Sequence, residues 1–251
     1  MLRNKCVVAL ALAFVVILAF ADHSMAQSLS LDMGDSGGSA TARIIQLILL
    51  MTVLSLAPSL LVMVTSFTRI IIVLSFVRSA IGVQNTPPNQ VMIALALFLT
   101  AFIMTPVFQE SYTKGIAPLM REEISEEEAL TQAARPFHTF MITHVREKDL
   151  DLFMGMMPED TKEIATPADT PYQVLIPAFM ISELKRAFEI GFLIFVPFLI
   201  IDMLIASILM AMGMMMLPPV VISLPFKIIF FVLVDGWYML CGSLVRSFGV
   251  E

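Results

Sequence analysis

GFLIFVPFLIIDMLIASILMAMGMMMLPPVVISLPFKIIFFVLVDGW, residues 191–237, sets two apolar arms around a cluster of methionines. Five of the seven residues from Met210 to Met216 are methionine, with Gly213 among them and, after Leu217, Pro218 and Pro219. Long apolar runs on either side of a glycine and a proline pair read as two helices joined by a turn. The stretch therefore predicts a helical hairpin, 190–209 and 220–245, with its tip at the methionines. Asp202 lies 13 residues before Met215 and Lys227 lies 12 after it. A hairpin brings such positions to similar depth, so the two can pair, although partners in a second subunit would serve equally well. An ionised side chain facing lipid costs several kcal/mol, so these groups, with Asp235 further on, face protein or a water-filled path.

The methionines admit three readings. Thioethers suit cuprous ions, but copper sites also recruit cysteine or histidine, and neither is nearby in sequence. Methionine fills irregular core gaps well, yet the tip of a turn has little core to fill. In an oligomer, the same tip from several subunits can converge on an axis as a ring of soft side chains.

Upstream, AFMISELKRAFEI (178–190) dots an apolar helix with charge. Glu183 and Arg186 are three apart and Lys185 and Glu189 four apart, so each acid can meet a base on one helical face. Before it comes a polar insert, 109–172. Between Glu110 and Asp169 it holds thirteen acidic and six basic residues, a net of −7 that leaves +1 for the rest of a chain whose total is −6. REEISEEEALTQAARPF (121–137) starts as a helix and is expected to stop near Pro136, and 158–171 reads as a loop. Further upstream, Ile44–Ser66 is 23 residues without a charge, long enough to span, with Pro58 expected to kink it or end its first half. Arg69 and Arg78 flank the next apolar run, GVQNTPPNQ (82–90) is a turn, and Val91–Phe108 is a second, marginal span. With 44–66 entering from outside, both arginines fall on the cytoplasmic side and the acidic insert outside.

The first 26 residues resemble an export signal. Arg3 and Lys5 precede the 14-residue apolar run Val7–Phe20, and ADHSMA ends in small residues before Gln27. An uncleaved first helix is the rival reading. Cleavage removes Cys6 and leaves Cys241 as the one cysteine. The boundaries are thus a cleaved signal at 1–26, a polar segment at 27–43, a first apolar helical region at 44–108, the insert at 109–172, and a second apolar region at 173–251 with its methionine loop at 210–217.

Apolar residues make up 58% of the chain and charged ones 14%, against about 25% charged in soluble domains. That pattern, all-α by periodicity, describes membrane-associated helical hairpins with proline-kinked helices. No basic groove points to nucleic acid. His23, His138 and His144 are the only histidines. With no HExxH, GxSxG or phosphate-cradling loop, no enzyme chemistry, metal or cofactor is expected.

SFTRIIIVLSFVRSAIGVQNTPPNQVMIALALFLTAFIMTPVF (66–108) and FMISELKRAFEI through VRSF (179–248) closely resemble the FliP family of flagellar biosynthetic proteins. The related virulence type III secretion family shares much of the pattern. The TPPNQ, SELK, GMMMLPP and VDGW segments stand in the flagellar form. The resemblance implies the pore of a flagellar type III export gate in the inner membrane, within the basal body. There, by the same resemblance, a pentameric homo-oligomer would stand with FliQ and FliR, beside FlhB and FlhA, partly above the membrane plane. Unfolded flagellar subunits would pass through it, driven by energy supplied elsewhere in the machine. It also implies that Met214, Met215 and Met216, with Met210 and Met212 before them, form a gasket at the narrowest point. Gly213 would then give that loop freedom, and Pro218 and Pro219 would limit its travel. Glu183 and Lys185 would lie at contacts between subunits. Other readings remain: the virulence counterpart, or a secondary transporter using Asp202, Asp235 and Lys227 as coupling residues.

Overall fold

The computed structural model describes residues 40–83, 86–158, 169–214 and 217–249. The expected export signal and the polar segment up to residue 39 lie outside them, as does most of the expected loop at 158–171. Contacts divide the chain into Met1–Met51 and Thr52–Glu251. Helix α1 (Ala40–Met63) crosses that boundary and continues through position 58, so Pro58 does not end it.

Within the second unit, α2 (Phe67–Ile81) is the central element. Ile70, Val73, Leu74, Val77 and Ala80 recur at helical spacing and are wholly buried. They pack chiefly on α6 (Tyr172–Ala211) and on α3 (Asn89–Ser111). On α6 the matching stripe is Leu175, Ala178, Phe179, Ser182, Glu183 and Ala187. The α2 helix ends at Gly82, whose N–H donates to the Arg78 carbonyl at 3.3 Å, and the expected turn follows. Across that turn, Arg78 Nη1 donates to Asn89 Oδ1.

The second apolar run is longer than its composition predicts. Helix α3 passes through a π-helical turn (Tyr112–Ile116) into a short segment (Ala117–Met120), giving one 32-residue course from Asn89 to Met120. The insert thus begins inside a helix. Helix α4 (Glu126–His144) starts as expected: Ser125 Oγ accepts from the Glu128 N–H at 3.3 Å, and Glu126, Glu127 and Glu128 occupy the positive first turn. It does not stop at Pro136. A proline inside a helix frees carbonyls one turn back, and the nearby Ala133 carbonyl accepts from Ser111 Oγ at 2.8 Å. The bond that Pro136 removes is the one to the Gln132 carbonyl, next to the carbonyl that Ser111 reaches, and the helix runs on to His144.

Helix α5 (Glu147–Gly155) bolts the insert to α6. Arg146 grips Asp149 through Nε and Nη2, both at 2.8 Å. Ser182 Oγ donates to Asp149 Oδ2 at 2.6 Å and accepts from the Arg146 backbone N–H at 3.0 Å. Burial opposes the charge on Asp149, but the bonds from Ser182 and Arg146 outweigh it and hold the carboxyl below its usual range. At the end of the insert, His138 Nε2 lies 2.7 Å from the Thr170 carbonyl, with its ring edge-on to Tyr172.

Among the described residues two helices, Asn89–Met120 and Tyr172–Ala211, are long and apolar enough to cross a membrane. Helices α7 (Pro219–Leu233) and α8 (Gly236–Arg246) qualify only as a pair, bent by 61°. The 40 residues of α6 extend about 60 Å at 1.5 Å per residue, roughly twice the hydrocarbon thickness of a bilayer. Pro177 and Pro197 lie inside that helix and Pro225 inside α7, and none of them ends its helix.

Candidate functional site: a methionine turn held by buried ion pairs

The hairpin forms with α6 and α7 packed together and the methionines between them, but its second arm is not the single helix expected over 220–245: α7 ends at Leu233 and the chain bends by 61° into α8. Helix α6 closes in a Schellman cap. Gly213 takes the left-handed conformation (φ 73°), its N–H donates to the Met210 carbonyl at 3.1 Å, and the Met214 N–H reaches back to the Leu209 carbonyl at 3.0 Å. Gly213 is therefore less a slack link than the residue that permits a specific closed turn, because an L side chain is strained at that φ. Pro218 caps α7 and Pro219 is its first residue, where a missing N–H costs nothing. Met210, Met212 and Met214 are 61%, 63% and 37% exposed, too open for a core role within this chain. Met215 and Met216 lie outside the described residues.

About two helical turns back from the methionines, Asp202 and Lys227 meet. Lys227 Nζ donates to Asp202 Oδ2 at 2.6 Å and to the Ala80 carbonyl at 3.2 Å, while Ser223 Oγ donates to Asp202 Oδ1 at 2.5 Å. One ammonium thus ties α6 and α7 to the last turn of α2, where free carbonyls favour a cation. Lys227 is almost fully buried and Asp202 partly so.

A second cluster lies near the other end of α2. Arg69 and Glu183 are both buried, at 1% and 0% exposure. Arg69 Nε donates to Glu183 Oε2 at 2.8 Å and Nη2 to Oε1, a two-pronged pairing. Its remaining nitrogen, Nη1, donates to the Ser247 carbonyl at 3.2 Å and to Ser247 Oγ at 3.0 Å, and the guanidinium carbon lies 3.7 Å from the centre of the Phe248 ring. Phe248 in turn stacks on Phe140 and approaches His144 of α4. Burial first, with Arg69 adding to it, pushes the His144 imidazole below its ordinary value, while its Nδ1–H donates to the Phe140 carbonyl at 2.8 Å.

This arrangement corrects one expected pairing. Glu183 does not pair with Arg186, because Arg69 occupies both of its oxygens, and Arg186 is half-buried on the same helix. Glu183 is buried inside its own chain instead of facing outward. Lys185 and Glu189 do meet, at 3.5 Å, and both are more than half exposed. Their face of α6 also exposes Ile181, Leu184, Phe188 and Phe192. Asp235 stands apart, exposed, in the left-handed region (φ 50°) between α7 and α8.

Sequence reasoning missed Ser223, Ser247, Phe248 and the partnership of Arg69. The available signal for Arg69 was an arginine inside an otherwise apolar helix, which calls for an acid at the same depth. Among the described residues no group of three or more histidine, cysteine, aspartate or glutamate side chains is placed to hold a metal ion.

Comparison with known proteins matches the FliP family over residues 50–244. The chain is 53% identical to the flagellar biosynthetic protein FliP of Caulobacter vibrioides over 248 residues, covering 98% of this chain and 92% of that relative. It is 58% identical over 204 residues to the protein of the same name in Bacillus subtilis, with 81% and 91% covered. For the Aquifex aeolicus protein of that name the identity is 50% over 204 residues, with 81% and 85% covered. Similarity of this extent, over both apolar regions and the insert between them, shows that the chain belongs to the FliP family.

Proposed function

We propose that this chain is a pore-forming subunit of the flagellar protein export gate, and that its methionine turn is the gasket of that pore. The carrying observation is the turn itself. Its described methionines are exposed, yet the backbone beneath them is fixed by the Schellman cap and by the clamp of Asp202, Lys227 and Ala80. A seal needs this combination of a rigid base and compliant contact groups. Methionine has three rotatable bonds and a polarisable sulfur, so it closes around a passing chain of any sequence. An apolar constriction also resists wetting, which limits ion leakage.

Copies of the chain, five in our reading, would ring the pore with FliQ and FliR, in contact with FlhA and FlhB, inside the basal body at the inner membrane. The outward face of α6 around Lys185 and Glu189 suits contacts between copies, and the acidic insert would stand in the periplasm. Unfolded flagellar proteins would be the cargo, a reading supported by relatives that are flagellar biosynthetic proteins. The transporter reading is disfavoured because Asp202 and Lys227 hold one another and Ala80, leaving neither free to bind a solute.

The test is cysteine substitution at Met214 in a Cys241→Ser background, with a membrane-impermeant thiol reagent added to exporting cells. Labelling that falls when cargo is stalled in the channel is expected. A thiol that reacts equally with or without cargo contradicts the pore position.

A further inference from the structure

The break between α7 and α8 places opposite solvent demands side by side. Val232 and Leu233, which close α7, are 70% and 79% exposed, and Tyr238 and Met239 on α8 are similarly open. Between them Asp235 is exposed, and its side chain makes no capping bond to α8. The chain turns by 61° here, so the first N–H groups of α8 have no carbonyl of the preceding helix to meet. Water alone suits Asp235 and the backbone but not the apolar side chains. Hydrocarbon alone suits the apolar side chains but not the carboxylate.

The inner angle of the bend holds an open, largely apolar groove of about 550 Å³, lined by Ile194, Phe198, Phe231, Met239 and Leu244, with Ser243 at its edge. Gly236 keeps it in shape: a Cβ there would come within 2.3 Å of the Phe231 ring. Next to Asp235, Trp237 and Tyr238 present amphipathic rings, the side chains that concentrate where lipid headgroups meet acyl chains. Arg246, exposed at the far end of α8, is a second group suited to that layer.

We propose that Val234–Tyr238 is an anchor at lipid-headgroup depth and that the groove beside it takes an acyl chain of a membrane phospholipid. The depth agrees with the buried charges. Lys227 lies eight residues before Asp235, about 12 Å along a helix, and so falls inside a hydrocarbon layer of about 30 Å, where its pairing with Asp202 is needed. A protein cover fits less well, because it would bury the Asp235 carboxylate with no partner from this chain. The inference rests on the chain's being a membrane protein, and the gasket reading can fail without affecting it.

Trp237 is the only tryptophan in the chain, so its emission needs no substitution to be assigned. The full chain, reconstituted in vesicles of phosphatidylethanolamine and phosphatidylglycerol, would be measured with brominated lipids carrying the quencher near the headgroup or at the chain end. Quenching should be about twofold stronger with the headgroup-proximal bromine. Met239→Trp in a Trp237→Phe background moves the probe into the groove, and there a mid-chain bromine should quench best. Stronger quenching of Trp237 by the chain-end bromine would overturn the proposal. So would the absence of quenching at both positions, the result expected if protein covers the bend. Should the double variant fail to fold, the measurement on the native tryptophan still decides the depth.

Discussion

The two halves of α6 are made of similar residues and live in different surroundings. Over Tyr172–Gly191 eight residues are buried, and over 192–211 only Phe198, Ile205 and Leu209 are. The first half is held by its own chain, through Ser182 to the insert and through Glu183 to Arg69 and the C-terminal turn. The second half touches its own chain through the clamp of Asp202 and Lys227 and through Phe198 against Phe230 and Phe231, then ends in exposed methionines. Hydropathy does not separate them, since both halves are apolar. The difference is that one half is solvated by this protein and the other is left for lipid or for neighbouring subunits.

The sharpest way to break that contrast is to damage the anchored half. Arg69→Ala or Glu183→Ala leaves a buried charge without its partner and should cost about 3–5 kcal/mol. Detergent-solubilised protein should then lose protease resistance throughout the second unit. The pair Arg69→Met with Glu183→Leu removes both charges and should recover much of the loss. If the single variants are as resistant as the wild type, the anchor is not where we place it.

Next in size is the clamp beneath the methionines. Asp202→Lys or Lys227→Asp alone should disrupt the hairpin tip. The double reversal should restore part of the export, less than fully because an aspartate at 227 cannot donate to the Ala80 carbonyl. Motility and the yield of assembled complex measure this, and a double reversal no better than either single change argues against direct pairing. The smallest effect belongs to the exposed pair: Lys185→Ala or Glu189→Ala should change the chain's own stability by less than about 1 kcal/mol. A large loss of thermal stability in the isolated chain would mean that the outer face of α6 is not open as described.

The same contrast explains what was legible in the sequence. The hairpin, its methionine tip and the meeting of Asp202 with Lys227 follow from local periodicity and from nearly equal spacing on either side of a turn. The partner of Glu183 did not, because Arg69 lies 114 positions away and an arginine three residues along the helix offered a simpler pairing. Helix spacing makes that local pair possible, but burial decides it, and burial is set by packing on α2. Pro136 was misread for a related reason. Whether a proline ends a helix depends on packing as well as on the one backbone bond it removes, and here α4 continues through Pro136 packed against α3, α6 and the π-helical turn. The length of α3 beyond its apolar run was hidden likewise, since Tyr112–Met120 falls in the polar insert and is held helical in contact with α4.

The central claim is that the methionine turn seals the pore, and ion conductance tests it most directly. The variant Met214→Ala, Met215→Ala, Met216→Ala should assemble normally, because the clamp and the Schellman cap behind the turn are untouched, yet membranes carrying the assembled complex should leak ions in the closed state. Unchanged conductance, with assembly of the variant confirmed in the same membranes, would contradict the account.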